Sequence, residues 1–380
     1  MTTKTRRIKA EVVAAQLNDW YSLIRKNHIK EAEKIKNKIE SKLDMMEENQ
    51  NVLLYYSLLD FRHQIMLSYV NPKIAININN SLATMEKRKE KIEKSQLDGM
   101  IEYYFWFFKG MYEFKRKNFI TAINYYKIAE KKVDAVDDEV EKAEFYYKLA
   151  EFYYHINQNY LSMNYANQAL ETFKTHETLI EKKIFCDFII AGNWVETMQY
   201  DAALKSLLHA LNDANKTENQ HLKAAALFNL GNCYFYQNKL SKASDYMKSA
   251  LSIFKQHSSY VPKVLFNLMY VRIKQKNYEE AEKYYKQGIK SAKALNDKEF
   301  AVRLHILKEI YLSSGNNQSS VKKAFECLEA KKLYLAVEEL ALDAARYYKS
   351  IGQLESAIYY YEKGIAARNK IKQGDMLSEI

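Results

Sequence analysis

Phosphate chemistry carried out by a protein's own loop needs closely spaced glycines, so that bare backbone can approach the anion. The nine glycines here (99, 110, 192, 231, 288, 315, 352, 364 and 374) are never closer than 10 residues. A P-loop, a dinucleotide fingerprint and a glycine-rich kinase loop are therefore excluded. The three cysteines, Cys186, Cys233 and Cys327, are odd in number and widely spaced, which gives neither a disulfide framework nor a zinc pattern. Cys233 and Cys327 fall at small-residue positions of a repeat described below and read as inert core thiols. The eight histidines are scattered with no HExxH pairing, and His63 and His155, in aromatic helical stretches, read as satisfied structural residues. Carboxamides remain. Asn229 and Asn232 lie one helical turn apart, and Asn267 follows Asn229 by 38 residues. An amide donates and accepts at once, so such residues can grip an extended peptide backbone whatever its side chains.

The elements that position these amides form a repeat. Leu227-Phe228-Asn229-Leu230-Gly231-Asn232-Cys233-Tyr234, followed by Ala243 and Ala250, reads as one tetratricopeptide unit. In that frame Gly231 is at position eight, Ala243 at twenty and Ala250 at twenty-seven. Position twenty recurs as Ala122, Ser162, Ala203, Ala243, Ala281, Ser320 and Ala357, at spacings of 37 to 41 residues. Position twenty-seven recurs as Ala129, Ala169, Ala210, Ala250, Gly288, Cys327 and Gly364. All fourteen are small, which lets helix A and helix B of a hairpin approach closely. Position eight keeps this in Gly110, Ala150, Ala191, Gly231 and Ala345, but Met269 and Lys308 break it in the fifth and sixth repeats. Seven hairpins stacked this way predict a right-handed superhelix with a concave inner wall, on which Asn229, Asn232 and Asn267 lie.

The array begins near Asp98-Gly99. Residues 1–70 lack the frame and read as three amphipathic helices, Lys9–Lys26, Ile29–Met46 and Gln50–Val70. Residues 71–98 read as a linker with one more helix. The fold class is thus all-α: a three-helix bundle (1–70), a helical linker (71–98) and a tetratricopeptide domain (99–380). Nine Gly and two Pro in 380 residues argue against a sandwich or barrel. No apolar run approaches the roughly 18 residues that a membrane span needs, and the basic N-terminus lacks a signal-peptide core, so a cytoplasmic location is expected. The net charge of +11 comes from 58 basic and 47 acidic residues interleaved at helical spacing, as in Glu31-Ala32-Glu33-Lys34-Ile35-Lys36. That mixing is the pattern of solvated helix faces, and direct nucleic-acid binding is not expected.

The N-terminal stretch carries a specific resemblance. Asn18-Asp19-Trp20-Tyr21, Met46-Glu47-Glu48-Asn49-Gln50, Leu54-Tyr55-Tyr56-Ser57-Leu58 and Phe61-Arg62-His63-Gln64 closely resemble the Rap family of response regulator aspartate phosphatases. Glu102-Tyr103-Tyr104-Phe105, Phe108-Lys109-Gly110-Met111-Tyr112-Glu113 and Glu141-Lys142-Ala143-Glu144-Phe145 extend the likeness into the array. The resemblance implies a peptide-regulated phosphatase of a response regulator's aspartyl phosphate, in a sporulation or competence type of phosphorelay. Its partners are then the phosphorylated regulator, gripped by the bundle, and a short Phr-type peptide in the repeat groove. Gln50 matches the family's catalytic glutamine in an M-E-E-D-Q stretch, with Asn49 where the family often has Asp. Glu48, Asn49 and Phe61 match positions near the regulator. Asn229 matches a backbone-clamping asparagine and Glu196 a peptide-contacting acid, with Asn193, Asn232 and Asn267 as further groove candidates. No cofactor of its own is implied, since Mg²⁺ belongs to the regulator. Some members act without catalysis, by sequestering a regulator and blocking its DNA binding, and the glutamine alone does not decide between the two roles. By spacing alone, Gln50 is an exposed glutamine at a helix start.

Overall fold

In the computed structural model, residues 7–70, 75–92, 98–254, 258–313 and 318–376 are described. Eighteen α-helices account for nearly all of them, and a single β-bridge joins Ile8 to Met46. The chain divides into two compact units, Met1–Asp138 and Glu139–Ile380.

The first unit opens with α1 (Ala10–Arg25), α2 (Ile29–Leu43) and α3 (Gln50–Val70), followed by α4 (Ala75–Glu90) from the linker and the first repeat hairpin, α5 (Gly99–Lys115) and α6 (Phe119–Glu130). Along α1, Val13, Leu17, Trp20, Tyr21 and Ile24 recur at helical spacing and all are buried. Asp98 caps α5, its Oδ1 accepting from the N–H of Met100 at 2.8 Å. The first repeat helix closes the N-terminal core. Tyr104 meets Tyr21 edge-on at 5.2 Å and stacks on Tyr55 at 5.9 Å, while Tyr112 meets Phe61 at 5.4 Å. The linker helix is fixed to α5 by charge over aromatic faces: the Lys89 ammonium lies 3.8 Å from the Phe105 ring centroid, and Lys109 pairs with Glu86 at 2.6 Å.

The second unit holds six hairpins: α7 (Glu139–His155) with α8 (Asn159–Lys174), α9 (Ile180–Glu196) with α10 (Tyr200–Ala214), α11 (Gln220–Tyr236) with α12 (Leu240–Ile253), α13 (Tyr260–Lys274) with α14 (Tyr278–Ala294), α15 (Lys298–Leu307) with α16 (Gln318–Ala330), and α17 (Tyr334–Ser350) with α18 (Leu354–Met376). The seven repeats read from the sequence are thus seven helical hairpins. Their small-residue positions are helix contacts. A Cβ on Gly231 would lie 2.7 Å from the Met247 Cγ and 3.2 Å from the Ala243 carbonyl. The sixth repeat, with Lys308 at position eight, widens there: α15 passes into a π-helical turn over Lys308–Leu312, in which the Ser313 N–H donates to the Lys308 carbonyl.

Most of the described turns are made without glycine. Lys117, Asn157, Met198, Asn238 and Lys276 close A–B hairpins with φ between 58° and 63°, and among the described residues only Gly352 does so as a glycine. At α11 the N–H of Asn238 donates to Phe235 and that of Lys239 to Tyr234, both at 2.9 Å, which satisfies the last carbonyls of the helix.

Two readings of single residues change. Cys186 and Cys233 are buried, and burial pushes the Cys233 thiol up to about 11. Cys327, however, is only half-buried. His63 is structural but not satisfied by hydrogen bonds. Its ring is fully buried edge-on against Trp20 at 5.6 Å, neither nitrogen has a partner among the described residues, and burial lowers its pKa to about 4.

Gly110 gives the sharpest test of the packing rule. A Cβ there would stand 2.5 Å from Cδ1 of Tyr126, a ring with no solvent exposure into which to retreat. Gly110→Ala gains about 1 kcal/mol of helix propensity, but overpacking costs roughly 1–3 kcal/mol. The expected net result is a lower thermal midpoint; an unchanged or raised midpoint in a calorimetric scan would show that this contact does not limit helix approach.

Candidate functional site

Two sites take shape, one in each unit. The first is the loop between α2 and α3. Its entry is pinned by paired backbone bonds: the Ile8 N–H donates to Met45 and the Glu47 N–H to Ile8, both at 2.9 Å, with Met46 buried beneath. Its exit is a helix cap. Asn49 Oδ1 accepts from the Val52 N–H at 3.0 Å and its carbonyl from the Leu53 N–H at 3.1 Å. Asn and Asp serve equally well at such a position, so Asn49 keeps the geometry that an Asp would give. Between these anchors Glu47, Glu48, Asn49 and Gln50 are all exposed. Gln50 Nε2 donates to Glu48 Oε1 at 3.0 Å, while Gln50 Oε1 has no partner among the described residues. One carboxamide is thus held by a carboxylate with its acceptor oxygen available. Further along α3, Arg88 of α4 donates to the Leu53 carbonyl at 2.7 Å and Tyr55 OH to Asn18 at 3.0 Å, which fixes the helix behind the loop.

Phe61 does not belong to this surface. It has no exposure and packs against Tyr112, so it supports α3 from inside and touches no partner in this arrangement. The sequence reading of Phe61 as a contact residue is corrected on that ground.

The second site is the inner wall of the second unit. Asn229 on α11 is half-buried and makes no side-chain hydrogen bond among the described residues, leaving donor and acceptor both available. Asn267 on α13 donates from Nδ2 to Asn232 Oδ1 at 2.6 Å, so these two amides are oriented by one another. Asn193 is different and is also corrected. It is buried, and its Nδ2 donates to Ser162 Oγ at 2.8 Å and to the Ile189 carbonyl at 2.9 Å. Ser162 in turn donates to the Ala150 carbonyl at 2.9 Å, which makes Asn193 a cross-brace between α8 and α9 rather than a groove residue.

Glu196, the last residue of α9, is exposed at the wall, yet its carboxyl is held above the usual glutamate range, first by the protein packed around it and then by Glu339 and Glu338. Sequence reasoning missed these neighbours. Glu339 on α17 accepts from Arg303 at 2.9 Å and from the Tyr236 phenol at 3.4 Å, so α11 and α17 meet across three repeats. Arg303 lies over Phe266 and Phe300 at 4.7 and 4.9 Å, and burial lowers the pKa of nearby Lys263. The Tyr236–Glu339 contact spans 103 residues of chain, and no local pattern encodes it.

A helical unit that presents a capped carboxamide loop, and tetratricopeptide hairpins that carry amides and carboxylates on the inner wall, define the chain as an all-helical repeat protein with its own N-terminal helical domain. Residues 7–68 match the family described as response regulator aspartate phosphatase H, N terminal, and residues 195–256 and 262–294 match tetratricopeptide repeats. Response regulator aspartate phosphatases A and I of Bacillus subtilis (strain 168) are 43% and 42% identical, each over 98% of this chain and over 98% and 95% of their own lengths. A solved Rap protein complexed with competence and sporulation factor is 39% identical with a TM-score of 0.86, covering 96% of this chain and 99% of that one. The chain belongs to the Rap family of response regulator aspartate phosphatases.

The cap makes a separable prediction. Asn49→Asp should leave protection of the Val52 amide intact, whereas Asn49→Ala should weaken it by about 1 kcal/mol. Amide hydrogen exchange measures both, and equal protection in the two variants would remove the capping role.

Proposed function

We propose that this chain is a peptide-regulated phosphatase of a response regulator's aspartyl phosphate, acting in the cytoplasm. The observation that carries the reading is Gln50, exposed at the capped start of α3 and held by Glu48 in a chain of this family. An aspartyl phosphate is an activated acyl phosphate, so hydrolysis needs little beyond a water placed in line with phosphorus. The water oxygen bonds to phosphorus as the bond from phosphorus to the aspartyl oxygen breaks. The aspartate leaves as a carboxylate, and the water proton passes to the phosphate or to solvent. Gln50 Oε1 accepts from that water and orients it, while Glu48 keeps the amide from turning away. The chain brings no metal to this step; Mg²⁺ belongs to the regulator. Being uncharged, the carboxamide adds no titration of its own.

Gln50→Ala should slow phosphoryl loss from a purified phospho-regulator by on the order of 100-fold, the scale of a misplaced reacting group, with regulator binding retained. Equal rates would overturn the catalytic role. Retained binding without any phosphoryl loss in wild type would favour sequestration of the regulator instead.

The inner wall is the proposed peptide site. Asn229 offers both halves of an amide to an extended backbone, with Asn232 and Asn267 beside it, and Glu196, whose neighbours Glu338 and Glu339 are paired with Arg368 and Arg303, favours a cationic group on the peptide. Because burial and like charge raise the Glu196 pKa, this carboxylate is neutral at low pH and becomes charged only above the usual glutamate range. Affinity for a binding pentapeptide that carries one Lys or Arg should therefore strengthen as pH rises through that transition. In Glu196→Gln it should be roughly fivefold weaker at neutral pH, the scale of an accessible ion pair, and flatter with pH. Calorimetric titration across pH decides this, and parallel profiles would exclude Glu196.

A further inference from the structure

Gln50 can act only where α3 puts it, and the first turn of α3 is held from two directions. From the loop side Asn49 caps the helix, and the Leu53 N–H donates to the Asn49 carbonyl at 3.1 Å. From the linker side Arg88 on α4 donates from Nη1 to the Leu53 carbonyl at 2.7 Å. A single residue, one turn after Gln50, thus joins the cap to the linker helix. The same carbonyl accepts from Ser57 Oγ at 3.1 Å, but the Arg88 bond is charge-assisted, and such bonds are the stronger kind.

The partnering of Arg88 sets it apart from the cations around it. Lys36 pairs with Asp60 and Lys109 with Glu86, both at 2.6 Å. Arg88 is half-buried, yet no carboxylate pairs with it, and the Leu53 carbonyl is its one hydrogen-bond partner among the described residues. A cation drawn partly out of water is ordinarily paired with a carboxylate. Here its polar commitment is to the backbone of α3.

The same helix is fixed lengthwise. Ser81 Oγ on α4 donates to Asp60 of α3, and Arg88, two turns further along α4, meets Leu53, two turns back along α3. The two bonds set one antiparallel register, so α4 cannot slide along α3 without breaking both. On its other side α4 is held to α5, where Glu86 accepts from Lys109 and the Lys89 ammonium lies over the Phe105 ring. A displacement of the last turns of α4 therefore reaches Leu53 through Arg88. We infer that Arg88 is a positioning residue for Gln50, and that its bond to the Leu53 carbonyl sets the first turn of α3 so that the carboxamide meets the attacking water. The inference rests on the phosphatase reading of Gln50 and assigns Arg88 no contact with the phosphoryl group.

Arg88→Met keeps an apolar stem and removes the donor, whereas Arg88→Lys keeps a charged donor. With saturating phospho-regulator, Arg88→Met should slow phosphoryl loss by about tenfold, short of the hundredfold scale of a reacting group misplaced outright. The regulator's KM should stay within about twofold of wild type, and Arg88→Lys should recover the rate to within about threefold. In a Gln50→Ala background Arg88→Met should cost nothing more, because a residue that acts through the carboxamide then has nothing to position. Hydrogen exchange should show the first turn of α3 loosened in Arg88→Met, with α5 and α6 protected as in wild type. A wild-type rate in Arg88→Met overturns the inference, as does a loss that falls on KM or that Arg88→Lys does not recover. Multiplicative slowing in the double variant also overturns it, since Arg88 would then act by a contact of its own. Exchange loosened throughout the unit would reduce Arg88 to a general structural role. Equal rates in wild type and Gln50→Ala would instead remove the reading of Gln50, and this inference with it.

Discussion

The close approach of helix A to helix B is the contact on which the rest of the structure depends. It exists because one residue on each side of the crossing has almost no side chain. At Gly231 the facing Met247 and the Ala243 carbonyl already fill the space a Cβ would need, and at Gly110 the Tyr126 ring fills it. Helices this close leave little freedom in how each hairpin is oriented. The faces of successive A helices are therefore set by packing, and residues 35 apart, such as Asn232 and Asn267, can meet amide to amide. Gly110 and Gly231 serve this contact, and most of the described turns do without glycine. Eight non-glycine residues adopt positive φ instead, each at a cost of roughly 1–2 kcal/mol. Asparagine, which tolerates this conformation better than most residues, takes it at 27, 157, 238 and 296, whereas Lys117, Lys276 and Met198 have no such tolerance.

What was legible in the sequence was what is local or periodic. The small-residue columns recur because each hairpin must solve the same packing problem, and they place all seven hairpins. The start of α3 was legible for a related reason: an exposed polar stretch followed by an aromatic-rich helix marks a helix start. Asn193 and Phe61 were misread because both depend on the neighbour and not on the chain nearby. α3 buries Leu54, Tyr55, Leu58, Leu59, Phe61 and Ile65, so its apolar residues cover too much of its circumference to reveal which side faces out. Asn193 had a signal that went unused. Position twenty is alanine in five repeats and serine in two, and both serines have polar partners: Ser162 accepts from Asn193, and Ser320 lies 2.7 Å from a ring nitrogen of His305. A hydroxyl in a column of methyl groups points to a polar side chain opposite.

The electrostatics of the inner wall lay beyond sequence for a different reason. Glu196, Tyr236, Arg303 and Glu339 come from four different A helices, and their interaction depends on how far the second unit curls. Once together, they form a graded field. Glu339 is neutralised by Arg303, whose guanidinium is also held by two aromatic faces, whereas Glu196 has no cation beside it and rises in pKa. Of the carboxylates on this wall, the one with unmet charge is thus the one that most favours an incoming cation.

Both proposed sites rely on carboxamides at the decisive atoms, and the physical chemistry of an amide accounts for the choice. A carboxylate in place of Gln50 would repel a phosphoryl group that already carries negative charge, and an ammonium would compete with the regulator's own cations for it. The amide does neither, while its oxygen still accepts from water. On the groove wall the same neutrality matters for a peptide backbone, whose N–H and C=O groups need an acceptor and a donor but gain nothing from net charge. The weakness of an amide is rotation, because its two ends differ and a flip exchanges donor for acceptor. The structure restrains that rotation where it matters: Glu48 accepts from Gln50 Nε2, and Asn232 accepts from Asn267 Nδ2. Asn229 carries no such restraint, so its orientation is left for the bound backbone to select.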